Sequence, residues 1–352
     1  MDLSTFVPPR CPNRACEQHW RPRGTFYRHV GSYRPKCRSF SIPRFECKVC
    51  GEGFSFQTFR MDYRDKRPDW NPEVIDRLTG GATLRYIARR LKANCKSVQR
   101  KFQKLARHLR VLDRSLLPQL PAGRVLCFDE QEDFETTRTK PVTIPIVVDR
   151  ESKFVVLTEV APIRRMARRG SRAYRQLERQ EKKDGRRRDD SRRCVRRVFG
   201  RLQKLLAGRP ADLVTDAKWS YSSEHKRRFP NTVAHSRIPS WVKKDTLSPL
   251  FAIHLTQSMT RCSNARMRRR TWAKSKKRRL LRLQLAVFAV FRNWHRQRTN
   301  EDHWSFTPGV SLGLVKERIE IPDLLAWRQD WRRRSPHPLS RGGETAIENW
   351  GA

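Results

Sequence analysis

Two aspartates each close a short apolar run: Asp129 follows Val125-Leu126-Cys127-Phe128, and Asp216 follows Leu213-Val214-Thr215. Carboxylates at the rim of a buried sheet can hold a divalent cation against phosphate, because hard ions prefer oxygen ligands and the acids supply neutralising charge. Glu130, next to Asp129, reads as a solvated neighbour, with an auxiliary acid as the second reading. A second constellation lies at the start of the chain. Five of the 9 cysteines fall within the first 50 residues, and four of them form a C-x4-C pair (Cys11, Cys16) and a C-x2-C pair (Cys47, Cys50). Thiolates so spaced can share one tetrahedral zinc ion, and Gly51 after the second pair lets the chain fold back over it. Disulfides do not fit the opening MDLSTFVPPRCP, which has no basic region followed by an apolar stretch. Cys37, His19 and His29 read as ordinary residues of the ribbon, and Cys95, Cys127, Cys194 and Cys262, each standing alone, as core thiols.

The aspartates need a scaffold, and the segments between them supply one. Val142 to Val148 and Phe154 to Val160 read as two further strands. A helix from Ser191 to Leu206 follows, with Val195, Val198, Phe199, Leu202, Leu205 and Leu206 on one stripe. After the Asp216 strand come a fifth strand, Thr232 to Ile238, and C-terminal helices. This order predicts an α/β fold, a ribonuclease-H-like mixed sheet with flanking helices, preceded by a small zinc ribbon and a helix-turn-helix. Arg164 to Arg188, crowded with arginine and lacking an apolar stripe, reads either as an exposed helix or loop lying on DNA or as a disordered polybasic insert.

The helix-turn-helix is read from a change of period after Asn71. Val74, Ile75 and Leu78 begin a first helix that Gly80-Gly81 stops; Thr83 then caps a second carrying Leu84, Ile87, Ala88 and Leu91. A third helix starts near Ser97 and buries Val98, Phe102 and Leu105, while its other face carries Lys96, Gln99, Arg100, Lys101, Gln103 and Lys104. Entry of this helix into a major groove would make Lys96, Gln99, Arg100 and Gln103 the DNA-reading side chains. A solvated basic helix of a connector shows the same period. The domain boundaries are then 1–60 for the ribbon, 61–112 for the helix-turn-helix, 113–300 for the sheet domain and 301–352 for a basic C-terminal tail.

Charge agrees with a nucleic-acid partner. The 78 Lys and Arg against 35 Asp and Glu leave a net charge of +43, which favours binding a polyanion. The longest apolar region, Leu283 to Phe291, is interrupted by Gln284 and far short of the roughly 20 residues that a membrane span requires. A soluble protein of the cytoplasm, associated with the nucleoid and oligomeric on double-stranded DNA, is expected. An RNA-binding structural protein fits the charge but not the paired cysteines and the strand-end acids.

The helix expected to bring a third metal ligand holds no glutamate: between Glu224 and Glu301 the only acid is Asp245. The segment FAIHLTQSMTRCSNARMRRRTWAKSK nevertheless resembles the catalytic helix of transposases of the insertion sequence one family. That family shows Ile-Glu-Arg-Asn, basic residues, then Ala-Arg, Arg-Arg-Thr and Ser-Lys. Ala265-Arg266, Arg269-Arg270-Thr271 and Ser275-Lys276 match without gaps and set His254, preceded by Ile253, where the family has its glutamate. The ribbon, the helix-turn-helix, Asp129, and Asp216 within LVTDAKWSY extend the resemblance over most of the chain, and TPGVSLGLV with IPDLLAWR looks like a C-terminal stretch of related proteins.

The resemblance implies a DNA transposase that binds the inverted repeats of a mobile element, cuts at its ends and joins them to target DNA. Asp129, Asp216 and His254 would form an Asp-Asp-His variant of the site, with Asp129 bridging two magnesium or manganese ions about 4 Å apart and each partner completing one. Imidazole suits manganese better than magnesium. Arg266, Arg270 and Lys276 would hold flanking phosphates. The alternative is a catalytically inactive, transposase-derived, sequence-specific DNA-binding protein.

Overall fold

The computed structural model describes residues 6–137, 139–164, 166–229, 231–239, 248–257, 277–299 and 305–327. The chain is a mixed α/β structure whose main sheet is flanked by helices and preceded by a small cysteine-bearing ribbon.

In the ribbon, β1 (Tyr27–Tyr33), β2 (Ile42–Cys47) and β3 (Gly53–Ser55) pair antiparallel in that order. Phe26, Phe45, Phe54 and Phe59 fill its small core together with Cys11, Cys16 and Cys47. A buried carboxylate ties this unit to the segment after it: Asp62 accepts from Arg38 and from Arg60 Nε at 3.1 Å. Burial pushes the Asp62 carboxyl up, but the two guanidiniums outweigh it and hold the group low.

Three helices come next, α2 (Trp70–Thr79), α3 (Leu84–Arg90) and α4 (Cys95–Leu116). Thr83 caps α3 as the sequence predicts, accepting from Tyr86 N at 2.9 Å; α4 starts two residues before Ser97, where Asn94 accepts from Lys96 N at 2.8 Å. The third helix is much longer than its first turns suggest. Beyond Leu105 it continues an apolar stripe through Ala106, Leu109, Leu112 and Leu116, which shares one core with the sheet.

The sheet is ordered β6-β5-β4-β8-β9, from β4 (Arg124–Phe134), β5 (Pro141–Asp149), β6 (Val155–Thr158), β8 (Ala211–Asp216) and β9 (Val233–Ile238). A two-residue strand, β7 (Ala161–Pro162), adds to β5. The first three strands are antiparallel, whereas β4, β8 and β9 run parallel. Parallel pairing of β4 with β8 requires a crossover, which α5 (Arg172–Asp184) and α6 (Ser191–Leu206) provide. Every residue of β5 is buried, as expected of a strand covered on both faces. One face is covered by α6 and α7 (Trp219–Arg228), the other by α8 (residues 251–257) and α9 (Arg278–Val290). At the sheet's amino end Arg124 grips the fully buried Asp149 with two bonds of 2.8 and 2.7 Å, reinforced by Ser152 Oγ at 2.6 Å.

After α9 a π-helical turn, Phe291–His295, sets two anchors. Asn293 accepts from Val155 N at 2.9 Å and donates to Val155 O at 3.0 Å, so its amide caps the edge strand β6 as a further strand would. Trp294 is fully buried and donates to Asp113 Oδ1 on α4 at 2.9 Å. Gly309 opens α10 (Pro308–Ser311), where a Cβ would stand 2.6 Å from Trp294, so only glycine lets the two approach.

Two expectations change here. The stretch from 301, expected as a basic tail, carries α10 and α11 (Ile321–Ala326) into the core, with Leu312, Leu324, Leu325 and Trp327 buried and Leu324 O bonded to His108 Nε2 at 2.8 Å. The segment expected as a helix-turn-helix, α2 to α4, and the sheet also share a continuous apolar cluster from Met61 to Trp327. A 22-residue helix with apolar positions along its whole length buries them only by reaching into the neighbouring layer.

Lys101 and Lys104 also differ from the exposed face expected of them. Lys101 Nζ donates to both oxygens of Asp65 (2.8 and 2.7 Å) and to Asn71 Oδ1 (3.0 Å), and Lys104 Nζ donates to Tyr63 O at 2.7 Å. Both ammonium groups brace α4 against the segment before α2. Replacing Lys101 by Met strands Asp65 in a half-dry site and should cost about 3 kcal/mol of stability, whereas Arg100→Ala, one residue earlier and exposed, should change it by less than about 0.5 kcal/mol. Urea unfolding of the two variants checks the contrast.

Candidate active site and metal centre

The parallel register of β4 and β8 pairs Cys127 with Val214 and Phe128 with Thr215. One step further along each strand stand Asp129 and Asp216. Side chains alternate across a pleated strand, so Asp129 lies on the face of Cys127 and Asp216 on the face of Val214, and both of those apolar residues belong to the cluster under α8 and α9. The two carboxylates therefore share a face and an edge. Burial pushes the Asp216 carboxyl up, and the negative charge of Asp129 adds to it. Pairing with β8 stops at Phe128, but β4 runs on to Phe134 because β5 continues to pair with it. Asp129 is thus not at the end of its strand; it sits where the parallel half of the sheet ends and a crevice opens.

Behind Asp216 the strand is held from its other side. Thr215 Oγ1 lies 2.9 Å from His235 Nε2, and His235 stacks on His225 with ring centroids 4.6 Å apart. Burial, helped by His225, lowers the His235 pKa to about 4, which keeps that ring neutral near pH 7.

Helix α8 brings the third element to the crevice. Leu250, Ala252 and Ile253 bury against Cys127, Val142 and Ile144, and Cys127 Sγ bonds to Pro249 O at 3.4 Å. One turn after Ile253 the same face carries Gln257, whose Nε2 donates to Asp129 Oδ2 at 2.7 Å. His254 lies half-buried on the same helix, one position after Ile253. Gln257, which meets Asp129, is not among the residues expected from the sequence. A glutamine three residues beyond a helix histidine carries no spacing signature; only docking of α8 on the sheet selects it.

Glu130 faces the opposite side and is not solvated as expected. It accepts from Thr143 Oγ1 at 2.9 Å, from Tyr221 OH at 2.6 Å and from Lys218 Nζ. Burial and Glu130 together push the Tyr221 phenol up. The pleat separates adjacent carboxylates: one faces the crevice, and the next is tied to α7.

In the ribbon all four paired cysteines converge. Cys11 Sγ lies 3.5 Å from Cys50 Sγ, Cys16 Sγ lies 3.9 Å from Cys47 Sγ, and the four sulfurs fall within 4.8 Å of one another. Four sulfurs about 2.3 Å from a central zinc at tetrahedral angles would stand about 3.8 Å apart, so the cluster is the size of one such ion. Burial pushes the Cys11 and Cys16 thiols up, whereas at Cys50 a backbone hydrogen bond and the neighbouring thiols overcome burial and lower it. Gly51, at φ +70°, returns its N–H to Cys47 O at 2.9 Å and closes the second knuckle. The spare ligands stay outside: His19 Nδ1 bonds to Cys11 O at 2.8 Å, and Cys37 Sγ points to Asp65 O.

Of the residues expected to read DNA, Lys96 and Arg100 are exposed on α4, and Gln99 and Gln103 are half-buried beside them. Arg85, Arg89 and Arg90 on α3 add exposed charge nearby. Within segment 164–188, residues Arg172–Asp184 form the helix α5, which buries only Leu177. Arg266, Arg270, Lys276 and Cys262 lie outside the described residues.

No family model matches the chain, and no curated protein matches it. Among solved structures, one chain of the cryo-EM structure of the simian T-cell lymphotropic virus intasome in complex with PP2A regulatory subunit B56 gamma is similar. The match has 11% identity and a TM-score of 0.23, and it covers 54% of this chain and about half of that one (55%). So loose a superposition carries no weight in assigning a function.

The raised Asp216 carboxyl means that the metal-free fold loses stability as pH climbs from the unfolded value, near 3.9, through the folded one. Asp216→Asn should therefore raise the midpoint of thermal unfolding in chelator at pH 7, with the gain vanishing below about pH 4. In the ribbon, a Cys47→Ser, Cys50→Ser double variant should lose its stoichiometric zinc and the protection of β1 to β3 in hydrogen exchange, since thiolate ligation supplies much of a small ribbon's folding free energy.

Proposed function

We propose that the protein is a DNA transposase: a polynucleotidyl transferase that binds the ends of a mobile element, cleaves them and joins them to a target. The observation that carries this reading is the placement of Asp129 and Asp216 side by side on adjacent parallel strands, on one face, beneath a helix whose Gln257 reaches Asp129. The sheet order β6-β5-β4-β8-β9, three antiparallel strands followed by two parallel ones, supports the ribonuclease-H-like assignment. The four-cysteine cluster supports a zinc ribbon, and the net charge supports a DNA partner.

The donor set suits a hard divalent cation. Burial and the charge of Asp129 raise the proton affinity of Asp216, and a magnesium or manganese ion between the two carboxylates would relieve that repulsion. Asp129 and Asp216 would hold it, with His254 and the carbonyl oxygen of Gln257 as candidate neutral ligands. The ion would polarise the phosphate and stabilise the charge on attacking and departing oxygens. The chain's own residues do the rest: Gln257 orients Asp129, α8 shields the crevice on one side, and Lys96, Gln99, Arg100 and Gln103 would register the duplex through the exposed face of α4. Element-end recognition then belongs to the ribbon and the α2 to α4 helices, chemistry to the sheet, and assembly on DNA to more than one copy of the chain.

A second reading, an inactive DNA-binding descendant, is favoured by one contact: the Gln257 amide already satisfies an oxygen of Asp129 that a metal would need. The two readings part in one experiment. Asp129→Ala and Asp216→Ala should abolish manganese- or magnesium-dependent cleavage of element-end DNA, and His254→Ala should lower it at least tenfold, while duplex binding in chelator stays within about twofold of wild type. Wild-type protein that binds element ends but cleaves them with neither metal would leave the inactive reading in place.

A further inference from the structure

On the face of the sheet opposite the carboxylate pair, but at the same strand ends, the start of α6 and the start of α7 enclose a cavity of about 250 Å³ lined by Glu130, Ser191, Arg192, Val195, Lys218, Trp219 and Ser220. Its most unusual wall is Trp219, the first residue of α7, three positions after Asp216. This side chain is 75% exposed, whereas Trp294 and Trp327 are buried. Its indole meets no other aromatic ring among the described residues. A large apolar ring left in water forgoes a burial worth several kcal/mol elsewhere in the fold, and such rings mark binding surfaces.

The charges around it are unequal in availability. Glu130, the one acid in the lining, is held by Lys218 and Tyr221, and Lys218 also lies over the Tyr221 ring, 5.0 Å from its centroid. Just outside, Asp189 is occupied by Ser191 N and Oγ (2.9 and 2.6 Å), and Asp190 by Arg188 (2.8 Å). Arg192 has no ion pair among the described residues and is exposed. The cavity thus offers a flat aromatic face, an uncommitted guanidinium and hydroxyls, with the one acid of its lining, Glu130, already paired with Lys218. A planar heterocycle joined to a phosphate is what that combination recognises; stacking supplies affinity without sequence preference, and the guanidinium anchors the anion.

We infer that this cavity is a binding site for one unpaired nucleotide of a DNA strand, whose base stacks on Trp219 while its phosphate pairs with Arg192. The inference rests on the DNA-strand reading proposed above and extends it, since a strand end entering the crevice at Asp216 passes the start of α7. Fully paired duplex cannot use the site, because its base faces are already stacked on their neighbours. The site therefore distinguishes frayed or overhanging ends from blunt ones, a discrimination separate from groove reading by α4.

The test uses full-length protein in chelator and duplexes of one sequence, either blunt or with a three-nucleotide overhang carrying 2-aminopurine at its first unpaired position. Wild type should bind the overhang duplex about tenfold more tightly than the blunt one and quench the 2-aminopurine, as stacking on one aromatic ring is worth roughly fivefold to a hundredfold per base. Trp219→Ala should lose both effects and keep blunt-duplex affinity within about twofold; Trp219→Phe should retain most of the quench, and Arg192→Ala should weaken overhang binding while leaving the quench of bound DNA. Equal affinity of wild type for the two duplexes would overturn the inference. So would a Trp219→Ala protein unchanged on both, or one altered only in oligomeric state by sedimentation, which would make Trp219 a contact between copies. Displacement of the overhang by micromolar adenosine monophosphate would assign the cavity to a free nucleotide and overturn the DNA source. Because nothing here is cleaved, failure of the transferase reading would leave these results standing.

Discussion

The parallel pairing of β4 with β8 is the constraint on which the rest depends. It sets two carboxylates beside one another on the same face of a sheet, where burial, and after it the charge of Asp129, pushes the Asp216 carboxyl up. A fold holds such a pair only if the surrounding structure determines it strongly. Here the strands are clamped at their far end by Arg124 on Asp149, packed on one face by α6 and α7 and on the other by α8 and α9. The edge of the sheet is closed by the Asn293 amide. Stability is concentrated away from the crevice, and the crevice is where charge remains unbalanced.

Charge is managed in the same spirit throughout the molecule. With more than twice as many bases as acids, the buried carboxylates are clasped rather than exposed: Asp62 by Arg38 and Arg60, Glu135 by Arg187 and Arg278, Glu224 by Arg196, Arg227 and Arg228. Each clasp uses up acid inside and leaves a surplus of cations facing outward. The exposed α5, with lysines and arginines along most of its length and only Leu177 buried, is the extreme case. Such a surface attracts a polyanion over long range and loses that attraction as salt rises.

The helices before the sheet are continuous with it rather than strung along the chain. α4 begins as the third helix of a trihelical unit and ends packed beneath Trp294, with His108 tied to α11 and Asp113 to the π-helical turn. Burial pushes the Asp113 carboxyl up to about 6, despite the Trp294 hydrogen bond that opposes it. In the function proposed above, this helix, running from the exposed Lys96 and Arg100 to the core of the sheet, would fix the distance between recognition and chemistry.

The sequence by itself determined the local features whose physics is local. The cysteine pairs set the knuckles, Thr83 and the two glycines set the turn between α2 and α3, and the apolar runs before Asp129 and Asp216 set the strands. What only the tertiary structure decided depends on which surfaces meet. Lys101 and Lys104 are basic residues of the same helix as Lys96 and Arg100, yet they turn inward because the segment before α2 offers them a carboxylate and a carbonyl. Gln257 reaches Asp129 because Ile253 and Ala252 dock α8 on β4 and β5, a contact between residues more than a hundred positions apart. Glu130 turns to Tyr221 and Lys218 for the same reason, since a pleated strand sends neighbours to opposite layers and the layer decides the partner.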